Sequence, residues 1–207
     1  MILILTGGIG SGKSIAAEML NEMYGFPVYS ADRRVKELYS EHPDLLSAIE
    51  KEVGCELRDQ EGCFVPALLA REIFANGGVL RKVEELVFPV LKEDFIKWKN
   101  EYPAKVHVFE SATILEKDFF RGFGDYVLVV TAPIEVRISR AMKRDSASEE
   151  QVKARIDNQK MMNDLCLLDQ TCWLPYQVCS NDGSLDDLRS KLTDFVENRV
   201  LTKMLYH

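Results

Sequence analysis

The stretch TGGIGSGKS, residues 6–14, follows directly on the apolar run Ile2–Leu5 and precedes a segment with helical spacing. It therefore lies at a strand-to-helix turn. Glycines let the backbone curl around an anion with successive N–H groups pointing inward, and the N-terminus of the following helix adds partial positive charge. The order G-x-x-x-x-G-K-S, which ends at Gly12, Lys13 and Ser14, is typical of a phosphate-binding loop.

Two side chains of this loop suit a bound nucleotide. Lys13 can reach the outer phosphates, and Ser14 supplies the hydroxyl that such loops place on Mg²⁺. The alternative is a glycine-rich turn with a solvated lysine. The apolar run before the loop and the helical pattern after it favour the phosphate site.

Length and charge restrict the class of protein. A chain of 207 residues fits one sizeable α/β domain. The net charge is −7, and binding to nucleic acid needs a surplus of Lys and Arg on one face, so we expect no nucleic-acid partner. An anionic ligand must instead meet locally clustered cations.

The sequence carries no membrane or zinc signal. No apolar run approaches the roughly 20 residues that span a bilayer, and the first residues lack a basic n-region, so we expect a cytoplasmic protein that binds no membrane. The 5 cysteines form no C-x-x-C pair and the chain has only 3 histidines, which disfavours zinc and predicts reduced, structural thiols.

Apolar runs of β type alternate with helical patterns, which predicts an α/β fold with a parallel sheet covered by helices on both faces. The five predicted strands are Ile2–Thr6, Pro27–Ser30, Val106–Glu110, Tyr126–Thr131 and Gln177–Ser180.

The helical patterns divide into those of a core and those of an insertion. Lys13–Tyr24 has apolar residues at helical spacing and ends at Gly25, while residues 33–104 hold several helical stretches and no convincing strand. The last of these stretches is Val79–Tyr102, in which Pro89 predicts a kink or a helix start. The remaining predicted helices are Ser148–Lys160, with Ser148 as N-cap, and Leu185–Val200, which begins near the turn Asn181–Ser184.

Two carboxylates follow predicted strands. Because ligands gather at the carboxyl ends of parallel strands, Asp32 and Glu110 are candidates to face the phosphate loop. A carboxylate there can accept the proton of an acceptor hydroxyl or organise Mg²⁺. The alternatives are an N-cap role for Asp32, before a helix that starts at Arg33, and an exposed strand end for Glu110.

A group of basic residues, RISRAMKRD, occupies residues 137–145. On a helix Arg140 and Arg144 are four residues apart, so both guanidinium groups project from one face and can bind phosphate oxygens. The alternative is a solvated basic face. The acidic background of the chain favours the phosphate-binding role.

Taken in order, these motifs resemble the dephospho-CoA kinase family. The resemblance rests on the glycine loop, Ala31-Asp32, Arg140-x-x-x-Arg144-Asp145, Arg155-x-x-x-Gln159 and Asn181-Asp182-Gly183-Ser184, and it runs from about residue 2 to about residue 195. It implies a P-loop NTPase fold and transfer of the ATP γ-phosphoryl group to the 3′-hydroxyl of dephospho-CoA. It also implies one kinase domain, with a core (about 1–32, 104–136 and 170–207), a helical CoA-binding insertion (about 33–103) and a helical lid (about 137–165).

The resemblance implies roles for individual residues. Asp32 would be the base, with Lys13 and Arg140 as the other catalytic residues and Ser14 on the Mg²⁺ side. Glu110 is the second Mg²⁺ candidate because of its place after the third predicted strand. The Asn181 loop would lie near the adenine. The implied ATP-binding set is Gly8, Ile9, Gly10, Ser11, Gly12, Lys13, Ser14 and Ile15, with Arg144 and Asn181.

The chain departs from the family pattern on the substrate side. Ser30 stands where the family usually has the first acid of Asp-Ala-Asp, and Phe88 precedes Pro89 where a His-Pro pair is expected. The stretch Glu110–Glu116 replaces an Asp-x-Pro-Leu-Leu-Phe-Glu pattern, with Ala112 at the usual proline, and Ile15 replaces a common Thr. These changes touch acceptor recognition more than the ATP loop.

Three other functions fit parts of the sequence. A kinase for another small-molecule hydroxyl would share the loop and the arginines, and a non-catalytic protein would bind ATP without transfer. A GTPase would use the D-x-x-G string Asp59–Gly62, but this string follows no predicted strand and the chain has no N-K-x-D motif. The sequence leaves the oligomeric state open.

Overall fold

A computed structural model describes residues 1–75, 77–159 and 165–205. Its centre is a five-stranded parallel sheet in the order β2-β3-β1-β4-β5. The strands are β1 (Ile2–Thr6), β2 (Val28–Ser30), β3 (His107–Glu110), β4 (Tyr126–Thr131) and β5 (Tyr176–Ser180). All five strand predictions are confirmed, and three of the strands start one residue away from the predicted position. Pro27, for instance, has no N–H for the ladder, although its carbonyl accepts a bond from Val108 N–H (2.8 Å).

The middle strand β1 is buried on both faces. Leu3, Ile4 and Leu5 have no exposed surface, and β1 pairs in parallel with β3 on one side and β4 on the other. A strand in this position needs an uninterrupted apolar run, because helices cover both faces of the sheet. The ILIL run that precedes the glycine loop therefore marks the centre of the sheet.

Helix α1 (Lys13–Tyr24) has the predicted bounds. It lies between two glycines in the left-handed region, Gly12 (φ 100°) at its N-cap and Gly25 (φ 65°) at its C-cap. Its buried face packs into the main core together with apolar residues of β1, β4 and the C-terminal helix. The anchored helix fixes the direction in which the glycine loop leaves the sheet.

The chain divides into two compact units, a core unit (residues 1–29 and 104–207) and a helical unit (residues 30–103). The helices of the helical unit are α2 (Ala31–Glu41), α3 (Pro43–Val53), α4 (Pro66–Ala75) and α5 (Gly77–Glu101). The other helices of the described residues are α6 (Ile134–Asp145), α7 (Glu149–Asp157), α8 (Leu165–Thr171), α9 (Leu185–Phe195) and α10 (Thr202–Leu205). Short 3₁₀ turns lie at Ile114–Glu116 and Asp118–Phe120, and a π-helical segment, Val196–Leu201, joins α9 to α10.

Arg34 links helix α2 to helix α5 within the helical unit. Its guanidinium binds Asp94 of α5 through two hydrogen bonds of 2.8 Å and also binds Glu37 and Glu41 of its own helix. These carboxylates raise the pKa of Arg34 well above its usual range. The prediction that the insertion is helical is confirmed, since in the described residues its sole β pairing is an isolated bridge between Arg58 and Phe64.

Three helix predictions need correction. Helix α5 runs through Pro89, so of the two alternatives given for this residue, a kink or a helix start, the helix start is wrong. Helix α7 is capped by Ser148 as predicted but ends at Asp157, and the predicted end at Lys160 lies outside the described residues. The last predicted helix begins at Leu185 as expected, but its α-helical part gives way to the π-helical segment after Phe195. In the described part of the chain no helix is long and apolar enough to cross a membrane.

Candidate active site

The glycine loop adopts a conformation that side chains would prevent. Gly10 (φ 76°) and Gly12 (φ 100°) are left-handed. A Cβ on Gly10 would lie 2.1 Å from the carbonyl oxygen of Arg137, and one on Gly12 would lie 2.1 Å from Nδ2 of Asn181. Both positions therefore need glycine for two reasons, backbone conformation and close packing.

Lys13 and Ser14 are the first two residues of α1. The ammonium of Lys13 donates a hydrogen bond to the carbonyl of Gly7 (3.0 Å), so the lysine is folded back across the loop. Ser14 and the neighbouring Ile15 are exposed. The first turn of α1 contains no acidic residue, which leaves the partial positive charge of the helix N-terminus to the loop.

Asn181 follows β5 and holds the loop from the side. Its buried side-chain amide donates to the carbonyl of Ser11 (2.8 Å), and its own N–H donates to the carbonyl of Thr131 (2.7 Å) at the end of β4. The carbonyl of Asn181 accepts a bond from Nη1 of Arg140 (3.2 Å). One residue thus connects the loop, the end of the sheet and α6.

Two residues that contact the loop were not assigned from the residue pattern. Arg137, which is 4% exposed, donates from Nε to the carbonyl of Ile9 (3.0 Å). Gln159 accepts a bond from the N–H of Ile9 at Oε1 (2.7 Å). Arg137 lies three residues before Arg140, so helical spacing could have placed it on the same face. Gln159 was noted in the family pattern, but without a role.

Arg144 has a different partner from Arg140. It forms two hydrogen bonds to the carboxylate of Asp145 (2.7 and 2.9 Å), and Arg155 of α7 binds the same carboxylate (2.6 Å). The two guanidinium groups hold the pKa of Asp145 well below its usual range. Although Arg140 and Arg144 are four residues apart as predicted, they do not share a partner in this structure.

Both alternatives weighed for the carboxylates are wrong. Glu110, at the end of β3, is only 8% exposed, so it is not an exposed strand end. Helix α2 already begins at Ala31, so Asp32 is its second residue and cannot be its N-cap. Asp32 is exposed and belongs to the helical unit.

The D-x-x-G string forms a local turn. The carboxylate of Asp59 accepts bonds from the N–H groups of Glu61 (3.0 Å) and Cys63 (2.9 Å), and its carbonyl accepts one from Gly62 (3.0 Å). The turn lies between the bridged residues Arg58 and Phe64 and not after a parallel strand. A GTPase role for this string has no support from the fold.

The phosphate loop after the middle strand of a parallel sheet, with arginine-bearing α6 against it, defines a P-loop kinase. A family model described as dephospho-CoA kinase matches residues 1–186. The chain belongs to the dephospho-CoA kinase family and is therefore an enzyme, a transferase.

One relative and two solved structures are similar to this chain. A dephospho-CoA kinase of Porphyromonas gingivalis is 36% identical over 156 residues, which cover 75% of this chain and 76% of that protein. A crystal structure of a Thermus thermophilus protein matches with a TM-score of 0.77 at 27% identity, over 96% of this chain and 97% of the other. The dephospho-CoA kinase of Campylobacter jejuni shares the fold with a TM-score of 0.64 at 22% identity, over 95% and 96% of the two chains.

Proposed function

We propose that this chain transfers the γ-phosphoryl group of ATP to the 3′-hydroxyl of dephospho-CoA and releases ADP and coenzyme A. The observation that carries the proposal is the glycine loop, whose backbone is fixed by Arg137, Gln159 and Asn181 while the ammonium of Lys13 lies across it. A rigid loop of N–H donors with a lysine and a helix N-terminus is built for a polyphosphate.

The loop residues Gly8–Ser14, with Ile15 beside them, would hold the ATP phosphates. The donor set fits this ligand, because the described loop and the first turn of α1 present amide groups and one ammonium and no carboxylate. Ser14 and Glu110 are our candidates on the Mg²⁺ side, since both offer the oxygen donors this ion prefers. When bound, the ion would neutralise charge on the phosphate oxygens.

We assign to Asp32 the role of the base that accepts the proton of the ribose hydroxyl. Support comes from its place in the chain: it is an exposed carboxylate that follows β2 by two residues, and parallel strands end at the ligand-binding edge of such sheets. Arg140 and Arg144 would stabilise charge on the transferring group, with α6 and α7 acting as a lid that excludes water.

We assign acceptor recognition to the helical unit, residues 30–103. Support is indirect: the unit interrupts the core unit between β2 and β3, and a helical CoA-binding segment is what the family resemblance implies there. Ser30 and Phe88, two of the departures from the family pattern, lie in this unit. The acceptor is therefore the first thing to test.

A panel of acceptors tests the reaction. ADP release is measured with ATP, Mg²⁺ and dephospho-CoA, adenosine, AMP or cytidine, and the product is identified by mass spectrometry. We expect phosphorylated product with dephospho-CoA only, and none after EDTA treatment. Product with another acceptor would identify a different small-molecule kinase, and ATP binding without any product would identify a non-catalytic protein.

The variant Asp32→Asn tests the base. General base catalysis contributes about 10²–10⁴-fold, so we expect kcat to fall by roughly that factor while the KM for ATP changes little. Asp186→Asn is the matched control, because Asp186 is also an exposed second residue of a helix, α9. Unchanged kcat in Asp32→Asn would refute the assignment, and Lys13→Ala should remove turnover in either case.

We further propose that the protein works in the cytoplasm. Among the residues described with side chains, Cys55, Cys63, Cys172 and Cys179 are free thiols. Free cysteines fit a reducing compartment.

A further inference from the structure

Ile9 lies in the glycine loop and is held in three ways by the α6–α7 pair (residues 134–157) and by Gln159. Its side chain packs against the small apolar cluster of Ala141, Val152 and Ile156. Its N–H donates to Gln159, two residues after α7, and its carbonyl accepts from Arg137 of α6. The side chain and the carbonyl of Ile9 therefore contact the helix pair, and its N–H is bound by Gln159.

The loop glycines beside Ile9 fit closely against Arg137. A Cβ on Gly8 would lie 2.0 Å from Nη2 of Arg137, and one on Gly10 would lie 2.1 Å from its carbonyl oxygen. Arg137 and Gln159 are 4% and 5% exposed, so water does not compete for the two hydrogen bonds. The loop therefore packs closely against the helix pair, and the hydrogen bonds of Arg137 and Gln159 lie at the centre of this contact.

We propose that Arg137 and Gln159 are positioning residues that bracket the backbone of Ile9, one at its carbonyl and one at its N–H, and thereby couple the α6–α7 pair to the shape of the phosphate loop. The two bonds belong to the two peptide groups on either side of the Ile9 Cα, so displacement of Ile9 away from the helix pair breaks both together. The helix pair and the loop therefore adopt the phosphate-binding conformation together. The role in turnover rests on the proposed phosphoryl transfer, but the bracket itself is a property of the ligand-free protein.

The bracket has a chemical consequence. If the helix pair can leave the loop while ATP is bound, water gains access to the γ-phosphoryl group. Weakening the bracket should therefore lower transfer to the acceptor and raise hydrolysis of ATP. A change in this ratio separates positioning from a general loss of stability.

Isosteric variants test the proposal. Gln159→Glu keeps an acceptor oxygen for Ile9 N–H, and Gln159→Met keeps the length but removes it. We expect kcat to fall about tenfold in Gln159→Met, because the variant loses one hydrogen bond that acts in the transition state. The rate of ATP hydrolysis should rise relative to the rate of transfer to the acceptor. Gln159→Glu should stay within about threefold of the wild type. Gln170→Met, at an exposed position of α8, is the control.

Arg137→Met and the double variant Arg137→Met/Gln159→Met complete a double-mutant cycle with Gln159→Met and the wild type. If the two residues act together through Ile9, the double variant should be no slower than the slower single variant. Lys143→Met, an exposed change on the same helix, should behave as wild type. Should Arg137→Met fail to fold, Arg137→Lys replaces it in the cycle.

Hydrogen exchange gives a readout that does not depend on turnover. The Ile9 amide should exchange about tenfold faster in Gln159→Met than in the wild type and stay slow in Gln159→Glu. Unchanged exchange at Ile9, or equal transfer-to-hydrolysis ratios in Gln159→Met and wild type, would overturn the proposal. Faster exchange in an enzyme that phosphorylates no acceptor would support the bracket and refute the proposed function.

Discussion

Gly12 and Asn181 show how single residues define the loop. The Asn181 amide occupies the space that a side chain at residue 12 would fill, and this amide holds the carbonyl of Ser11. The glycine is needed for the left-handed backbone and also for contact with a residue far along the chain. The phosphate loop therefore depends on the strand end that carries Asn181 as much as on its own sequence.

Gly12→Ala should destabilise the protein and abolish ATP binding, because the new methyl group meets Nδ2 of Asn181 and the backbone is left-handed. We expect a loss of about 1–3 kcal/mol in the free energy of unfolding, measured by urea titration. Gly25→Ala is the control at the other end of α1, since it has a left-handed backbone (φ 65°) but no atom within 4 Å of the new Cβ. Equal losses in the two variants would show that crowding by Asn181 has no effect.

The sequence predicts the phosphate loop but not the residues that bind its backbone. The glycine, lysine and serine spacing is local, so it could be recognised without a structure. The hydrogen bonds from Arg137, Gln159 and Asn181 join residues 128 or more positions apart, and no local pattern encodes such contacts. Helix α2 begins at Ala31, two residues before the start at Arg33 that the N-cap alternative for Asp32 assumes, because helix starts are defined by cooperative backbone geometry.

At the scale of elements, Asp145 joins α6 to α7. The two helices meet at a tight connection in which Ser146 takes a left-handed conformation (φ 51°). On α6, Arg144 binds the carboxylate of the adjacent Asp145, and Arg155 of α7 binds the same carboxylate from the other helix. The carboxylate therefore binds two arginines and links the end of α6 to α7.

Asp145→Asn should lower the free energy of unfolding by about 0.5–1 kcal/mol at pH 7, a modest value because Arg144 and Arg155 are 59% and 45% exposed. The folded pKa of Asp145 lies below the unfolded value of about 3.9, so the contribution is complete above that value and is lost as the pH falls towards the folded pKa. The difference between the two proteins should be constant from pH 7 to about pH 5 and shrink below about pH 4.

Urea titrations at several pH values measure this difference. Asp157→Asn, an exposed change near the end of α7, serves as the control. A difference that has already disappeared at pH 5 would show that the ion pairs do not depress the pKa of Asp145.

Helix starts were predictable where the signal was a capping side chain. Ser148 and Ser184 both form capping boxes, with Gln151 and Asp187 as their partners, and both helices begin where the sequence indicated. The π-helical segment after Phe195 has no comparable local signal. Its apolar residues Val196 and Val200 are buried in the main core, so packing and not propensity sets the backbone there.

At the scale of the whole molecule, the main core joins the two ends of the core unit. The cluster runs from Leu3 in the first strand to Val200 near the C-terminus. Phe195 has no exposed surface and its ring lies 5.5 Å from that of Tyr126. The sheet that positions the phosphate loop is thus covered by a helix that lies far from this loop in the sequence.

Phe195→Ala should lower the free energy of unfolding by about 3–5 kcal/mol, because it removes a fully buried ring from this core. Thermal and urea unfolding measure the change. Phe119→Ala removes a ring that is 44% exposed and should cost less than about 1 kcal/mol. If Phe195→Ala lost as little free energy of unfolding as is expected for Phe119→Ala, helix α9 would contribute little to the core.

The bond from Lys13 to the carbonyl of Gly7 has a consequence for ligand affinity. A lysine side chain that moves freely in solvent loses rotational freedom when an anion captures it, and this loss weakens binding. Here the side chain is already confined over the site by its own loop, so most of that entropy was lost when the chain folded. The arriving phosphate then exchanges one oxygen acceptor for another at little further entropic cost.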